Sequence, residues 1–571
     1  MARNVILGLN SAGFVTSSAL VIDGKIHFAV EEERLDRQKR SRAFPMRGIR
    51  EALKTAGLRL DDVDAVTVAW NPAINLEAFS PAQSQRHRYL GEILYNVPNH
   101  LMSLKPNEAA DYSRQIISFS DGVELNIYYI MHHLAHASAF FFSPFEEAAI
   151  MAIDAFGEKH STVFCEGKGN KIRRIWSQEF PHSLGSFYAS MTEYLGFRPK
   201  NDEWKVMGAS SYGDPQRYYE ALHSLFHLKE EGGFELDLSY FNHYQFHRPL
   251  MYHPKLAALV GLPPNEKGRP LNQDYYDFAA AAQRVTEDIY CYLIGQLHER
   301  TGLDNLVLSG GVVYNSVANG KVLSNTPFQD VFVPPMPDDS GGSLGSAYYL
   351  YHQIQDQPRT YTMTTNYFGP GFSDEEIRAT LDKFKIRYQP VEDPADEAAA
   401  LIQEGKILGW FQNRIEFGDR ALGNRSILAD PRDPSMKDKV NETVKYREPF
   451  RPFAPSVLKE HVDEYFVNSV PTPYMEKVLP IRPEKQEEIP AVTHVDGSGR
   501  LHTVTKEQNP LYYRLIDCFR ARTGVPLVLN TSFNLKGEPI VCSPQDAIRT
   551  FFSSGLDALI IGKFVVHKGT A

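Results

Sequence analysis

Over the first 180 positions the apolar residues follow one plan twice. Residues 5–9 (VILGL) form an apolar run of strand length, a loop of small residues spans 10–18, and apolar residues resume at 19–22. Asp23-Gly24 is a hairpin turn signal leading into a third strand at 25–30. The same order returns later: an apolar run at 148–153, a small acidic loop at 154–161 (DAFGEKHS), a strand at 162–166, a turn at 167–170 and a strand at 171–180. The repetition predicts an internal structural duplication, two α/β halves that each present a loop of backbone N–H groups suited to phosphate.

Two such halves facing each other are the architecture of actin-like and sugar-kinase-like ATPases, so the expected fold class is α/β with a duplicated N-terminal domain. Between and after the repeats, the pattern predicts a helix over 47–56, a strand over 63–69, and a helix within 184–205 followed by a loop ending in Glu203 and Lys205. Residues 206–215 read as a glycine/serine turn, and 216–270 as an irregular insertion on the substrate side. Apolar or small residues at 278, 282, 285, 289, 293 and 297 predict a helix over 277–299 with one buried face. A strand at 306–308 runs into Ser309-Gly310-Gly311, with Val312, Val313 and Asn315 opening a helix. That order of strand, glycine pair and helix start suits a nucleotide phosphate, although a plain turn also explains the glycines. A strand at 331–333 carries Asp338, Asp339, Gly341 and Gly342 to its C-terminal end, where ligands sit in doubly wound sheets. Residues 353–365 are polar and without pattern, so the expected domains are 1–355 and 366–571.

Several residue groups bear chemistry. His132 and His136 stand four apart, which places both imidazoles on one helix face, and Asp154 ends the following strand. A metal site and a surface helix explain that spacing about equally well. Residues 31–40 (EEERLDRQKR) read as a solvated mixed-charge face in which Arg37 and Lys39 could meet an anion. Arg414, Arg420, Arg425, Lys445, Arg447 and Arg451 crowd into 409–454 and read as an anion site. Arg500 lies in a turn-rich hairpin, and a strand at 525–529 ends in Asn530-Thr531-Ser532-Phe533-Asn534, polar groups that suit a phosphate or adenylate.

Composition narrows the classes. A formal net charge of -10 over 571 residues argues against a general nucleic-acid binder while leaving room for basic pockets. Four scattered cysteines give no disulfide framework and no CxxC metal site, which fits a reducing cytoplasm. The start MARNVILGLN has no signal-like apolar region, and no run of about 18 apolar residues is present, so a cytoplasmic protein without a membrane span is expected.

Taken in order, EEERLDRQKR, HHLAHASAFFFSPFEEAAIMAIDAFGE, EWKVMG, LSGGVVYNSVANG, DDSGGSLGSA, EFGDRALGNRSILADPRDPSMKD, KYREPFRPFAPSV and LNTSFNLKGEPIV resemble the carbamoyltransferases that place O-carbamoyl groups on antibiotics and nodulation factors. The resemblance implies an N-terminal domain similar to the threonylcarbamoyl-transfer subunit of tRNA modification and a smaller YrdC-like α/β domain. The second domain is then expected to make carbamoyl adenylate from carbamoyl phosphate and ATP, with Mg accompanying the ATP. The first passes the carbamoyl group to a small secondary-metabolite acceptor, and a homodimer is a possible assembly. By motif position the implied metal ligands, for iron, are His132, His136, Asp154 and Asp339. Lys39, Lys205, Gly310, Gly311 and Asn315 are expected around the first nucleotide, and Arg420, Lys445, Arg447, Arg500, Ser532 and Asn534 around phosphate and carbamoyl in the second domain.

Three positions depart from the family pattern. Its first-strand loop usually holds a histidine suited to deprotonating an alcohol, where this chain has Phe14 and Val15. An amine acceptor, another base (His133, His160 or His182) or altered chemistry would answer this. The alternative is a relative using an adenylate for amide formation, condensation or dehydration. Asp419 puts a negative charge beside Arg420, and Asp154-Ala155 replaces the usual Asp-Gly.

Overall fold

The computed structural model describes residues 3–11, 15–71, 111–245, 248–448 and 450–568. They group into two units. The first comprises Met1–Ala29, Arg42–Asn315 and Lys321–Met363; the second comprises Val30–Ser41, Ser316–Gly320 and Thr364–Ala571. The unit boundary at 363/364 falls in the pattern-free stretch, but two short earlier segments group with the second unit.

The first unit holds two sheets with one topology. Strands β1 (Val5–Asn10), β2 (Ser17–Ile22), β3 (Lys25–Glu31), β4 (Ala65–Val68), β5 (Tyr112–Ser118) and β6 (Glu124–Ile130) line up as β3-β2-β1-β4-β6-β5. β1 is antiparallel to β2 and parallel to β4, which is parallel to β6. The second sheet uses β7 (Glu147–Ile153), β8 (His160–Lys168) and β9 (Lys171–Glu179). A separate hairpin, β10 (Phe226–Leu228) and β11 (Phe234–Leu236), intervenes before β12 (Asn305–Ser309) and β13 (Asp330–Phe332) complete it in the order β13-β12-β7-β8-β9. There β7 is antiparallel to β8 and parallel to β12, which is parallel to β13. Read outward from β1 and from β7, order and sense coincide, so the duplicated actin-like plan is present in the backbone itself. All six residues of β1 and of β2 are buried, as strands covered on both faces require.

Small residues set the centre of this unit. A Cβ on Gly8 would lie 1.9 Å from Ser343 O, and one on Gly345 would lie 1.9 Å from Ala135 O. The helix Gly342–Tyr348 can therefore wedge between β1 and the helix His132–Ala137. That wedge brings Asp339, just before it, beside the histidines.

The second unit is α/β around one mixed sheet. Its strands β14 (Gln389–Pro390), β15 (Leu408–Phe411), β16 (Arg425–Ala429), β17 (Ala454–Leu458), β18 (Lys477–Pro480), β19 (Ser498–Val504), β20 (Leu527–Ser532), β21 (Ala558–Ile561) and β22 (Phe564–His567) run β14-β22-β21-β15-β16-β20-β17-β19-β18. Trp410, Leu428, Val528, Phe519 and Phe551 fill the core on its faces.

Four local expectations change. Residues Glu31, Glu32, Glu33 and Arg34 are buried rather than solvated; Arg34 donates to Gly418 O at 3.0 Å and Glu31 accepts from Gly418 N at 2.8 Å. Non-local partners, invisible to a local charge pattern, make that burial possible. The expected loop and turn around Glu203 and Lys205 is the helix Glu203–Ser210, with Glu203 favourably placed in its first turn. The stretch 216–270 contains the helices Gln216–His223 and Lys255–Val260 besides β10 and β11. Arg500 lies within β19 opposite Val478, not in a turn.

Candidate functional site

Each unit holds one concentration of chemistry. In the first, the helix His132–Ala137 is buried along its whole length, which removes the surface-helix reading. Spacing of four residues on one face puts His132 Nε2 and His136 Nε2 3.1 Å apart. Asp154, at the end of β7, brings Oδ2 to 3.3 Å from His132 Nε2 and 3.4 Å from that of His136. Asp339 Oδ1 lies 3.5 and 3.8 Å from the same two nitrogens. One donor atom from each of the four residues falls within 4.8 Å of the others. His132 Nδ1 is 3.3 Å from Ala69 O, so a proton held there leaves the Nε2 lone pair facing the carboxylates.

The electrostatics match. Burial works to lower the His132 pKa, but the hydrogen bond to Asp154 and the charge of Asp339 carry it up to about 9. Burial opposes ionisation of Asp154, yet hydrogen bonds from His132 and His136 hold its carboxyl well below the usual range. Without a cation, only a proton between the imidazoles and carboxylates balances the cluster. A divalent first-row ion satisfies two imidazole nitrogens and two carboxylates together, so the donor set fits one.

Gly310 and Gly311 close the cluster. Gly310 has φ +102°, and a Cβ there would lie 2.0 Å from Ile153 O; one on Gly311 would lie 3.0 Å from Asp154 Oδ1. The end of β12 thus packs directly on the residues around Asp154. Asn315 is buried and exchanges two amide hydrogen bonds with Gln283, at 2.9 and 3.0 Å. Lys205 pairs with Asp202 at 3.2 Å and lies over the rings of Phe197 and Trp204. Lys39, expected with these residues, belongs instead to the second unit.

Phe14 lies outside the described residues. Val15 is buried, and its carbonyl accepts from Asn10 Nδ2 at 2.5 Å. Of the histidines that could serve as a base, His182 already accepts from Leu236 N through Nδ1 at 3.0 Å. His133 and His160 pack with ring centroids 6.4 Å apart, and His133 lies 5.4 Å from His132. Burial lowers both, His133 well below its ordinary value and His160 to about 4, so both stay neutral at pH 7.

In the second unit, buried Lys445 reaches across to the end of β20. Its ammonium donates to Asn534 Oδ1 at 2.9 Å, Asn534 O at 3.1 Å, Ser532 Oγ at 3.3 Å and Ser532 O. Ser532 Oγ donates in turn to Asn534 Oδ1 at 2.7 Å. Tyr446 adopts φ +47°, turning the chain between Lys445 and Arg447. Arg447 donates to Asn441 Oδ1 at 2.9 Å and covers Phe453 at 4.3 Å. Arg500 Nε is buried without a hydrogen-bond partner.

Cations press on one another here. Burial first, then Arg447, Arg451 and Lys39, hold the Lys445 pKa well below its ordinary value. Burial, Arg451 and Arg500 do the same to Arg447, and burial, Arg420 and Arg451 to Arg500. A group of like charges gathered round one buried ammonium is costly unless an anion completes it. Asp419 faces away from this role in part, lying 3.7 Å from Arg34 and 3.9 Å from Arg40. One residue escaped selection from the sequence altogether, and Arg451, read within the basic run, was not carried into the predicted phosphate site. Arg451 presses on all three cations, and its position within the basic run was the available signal. Glu158, discussed below, follows Asp154 by four positions and carried no signal beyond that.

Two family models match the chain. One for the carbamoyltransferase N-terminus matches residues 5–348, and one for the carbamoyltransferase C-terminus matches residues 399–568. The uncharacterized protein sll1178 of Synechocystis is 38% identical, covering 99% of this chain and 96% of its own. Nodulation protein NolNO of Sinorhizobium fredii is 38% identical over 97% of this chain and 79% of its own. The 3'-hydroxymethylcephem-O-carbamoyltransferase of Amycolatopsis lactamdurans is 34% identical over 45% of this chain and 48% of its own. With both halves matched by their models and relatives aligned nearly end to end, the chain belongs to the carbamoyltransferase family.

Proposed function

We propose that this carbamoyltransferase works in two steps, with ATP as co-substrate and a small secondary metabolite as acceptor. In the second unit, carbamoyl phosphate, ATP and water give carbamoyl adenylate, phosphate and pyrophosphate. In the first, an acceptor hydroxyl oxygen bonds to the carbamoyl carbon, the bond to the AMP phosphate oxygen breaks, AMP leaves, and the hydroxyl proton is released to solvent. The observation that supports this reading most is the cation group around Lys445. Lys445 is buried and hydrogen-bonded to Ser532 and Asn534, the arginines beside it are half-buried, and together they push each other's pKa values down, the condition of a site that awaits several phosphate charges.

Within that site the forked guanidinium groups of Arg420, Arg447 and Arg500 suit phosphate oxygens, and Lys445 supplies a point charge. Ser532 and Asn534 orient the ammonium and offer a hydroxyl and an amide to the carbamoyl group. In the first unit His132, His136, Asp154 and Asp339 would hold a divalent metal, with iron the family's expectation. When bound, such an ion supplies charge stabilisation for an oxygen that becomes negative. The buried helix and the glycine turn at 310–311 hold the two histidines and Asp154 in place, while Asp154 and Asp339 keep one partly open side.

The test is mass analysis of products from a panel of metabolites with ATP, with and without carbamoyl phosphate. A gain of one carbamoyl unit, dependent on carbamoyl phosphate, is expected. ATP consumption with a product that gains no carbamoyl unit would refute the reading.

A further inference from the structure

The loop that follows β7 and supplies Asp154 also carries Glu158. Gly157 lets this loop press on the histidine helix, since a Cβ there would lie 2.7 Å from His133 Nδ1 and 3.3 Å from His132 Cδ2. Glu158 then reaches back, and its Oε1 accepts two backbone N–H groups, from His132 at 2.9 Å and from Asn71 at 2.7 Å. These donors belong to different elements: His132 opens its helix, and Asn71 lies just past β4. Asn71 is itself anchored, accepting from Ser113 Oγ through Oδ1 at 2.9 Å. One carboxylate oxygen thus ties the loop bearing Asp154 to the first residue of the helix bearing His132 and His136. The other oxygen, Oε2, is buried without a hydrogen-bond partner. An unsatisfied buried polar atom is unfavourable, so the carboxylate is not explained by packing alone.

We propose that Glu158 is a positioning residue of the metal centre. It fixes the backbone of His132 relative to Asp154, so that the His132 imidazole and the Asp154 carboxylate converge on one ion. The proposal rests on reading His132, His136, Asp154 and Asp339 as metal ligands. It complements the contact from Ala69 O, which orients the ring of His132 while Glu158 holds its main chain. The role needs an accepting oxygen at the right reach and does not need the charge.

The test uses the full chain, stripped of metal and titrated with Co2+, whose visible absorption reports ligand geometry. E158Q keeps the accepting oxygen and is expected to bind Co2+ within about twofold of the parent chain. E158A and the shorter E158D lose it, and a loss of roughly 10- to 100-fold in affinity with a shifted absorption band is expected, as for other groups that orient metal ligands. Thermal unfolding of the metal-free variants is followed in parallel, and E158D carries the comparison if E158A does not fold. Affinity of E158A or E158D equal to the parent's overturns the proposal. So does E158Q as weak as those two, since charge would then matter rather than position. H136A separates this from the underlying reading: unchanged Co2+ binding in H136A means that the four residues are not the ligands at all.

Discussion

Replacing Lys445 by Met removes the ammonium that bridges Ser532 and Asn534. In the free protein that ammonium makes hydrogen bonds to two backbone and two side-chain oxygens, and it is crowded by Arg447, Arg451 and Lys39. Two effects on folding oppose each other. Each acceptor left unsatisfied costs about 1–3 kcal/mol, while loss of a repelled charge gives part of this back. Thermal unfolding of K445M is therefore measured in parallel, so that lost binding is read on folded protein. Binding has no such offset, because a phosphate loses a charge-assisted contact worth about 1.5–3 kcal/mol. That corresponds to a Kd for carbamoyl phosphate weaker by about 10- to 150-fold, measured by calorimetry, with pyrophosphate release from ATP falling in step. The pH dependence has a defined sign. The Lys445 pKa is depressed in the free protein and rises when an anion arrives, so binding takes up a proton and weakens as pH rises between those two values. In the folded, unliganded chain the depressed pKa makes stability rise with pH toward the ordinary lysine value, and K445M lacks that slope. A Kd within twofold of the parent, at both low and moderate salt, would refute the assignment of Lys445 to the anion site.

Three further outcomes are expected. His136→Ala should spare pyrophosphate release with carbamoyl phosphate and ATP but stop carbamoyl transfer; loss of both would show that the division of labour between the units is wrong. Metal affinity should climb with pH, because His132 in the metal-free protein holds its proton up to about pH 9 and metal must displace it. Its raised pKa likewise stabilises the metal-free fold fully below about pH 6.5, and that contribution fades as pH approaches 9. A Co2+ titration that gives one Kd across pH 6.5–8.5 contradicts this. Gly310→Ala must place a methyl 2.0 Å from Ile153 O at a left-handed φ. A fall in folding stability of at least about 2 kcal/mol in urea is expected from the clash and the strained backbone together.

What the chain's pattern revealed was local, and what it hid was not. The repeated strand plan could be read because hairpin turns and apolar runs are short-range signals, and both sheets carry it. The four-residue spacing of His132 and His136 was equally legible, as was the run of arginines near Lys445. Burial of Glu31 and Arg34 was not, because their partner Gly418 lies nearly four hundred positions away. Arg500 read as part of a turn-rich hairpin since glycines at 497 and 499 dominate its neighbourhood, and only the pairing with β18 shows that it stands in a strand. Glu158 is one glutamate among many until the fold brings two backbone donors to a single oxygen. The helix at Glu203–Ser210 was missed because its glycine and its closing serine weigh as turn formers over so short a length.

Membership of Val30–Ser41 in the second unit bears on how the protein is made. Arg37 donates to Ile540 O and Pro539 O, and lies 3.4 Å from Asp546. Those partners are synthesised about 500 residues later, a delay of roughly 25–100 s at ordinary translation speed. Throughout that interval Arg37 lacks these partners, while the segment's own charges can pair only locally, as Arg34 does with Glu31 and Glu33. The same acidic and basic groups that end buried against Gly418 are therefore made long before the chain that covers them. A nascent chain cut short before position 539 cannot finish its second unit, so incomplete products should be sensitive to proteases while full-length chains resist.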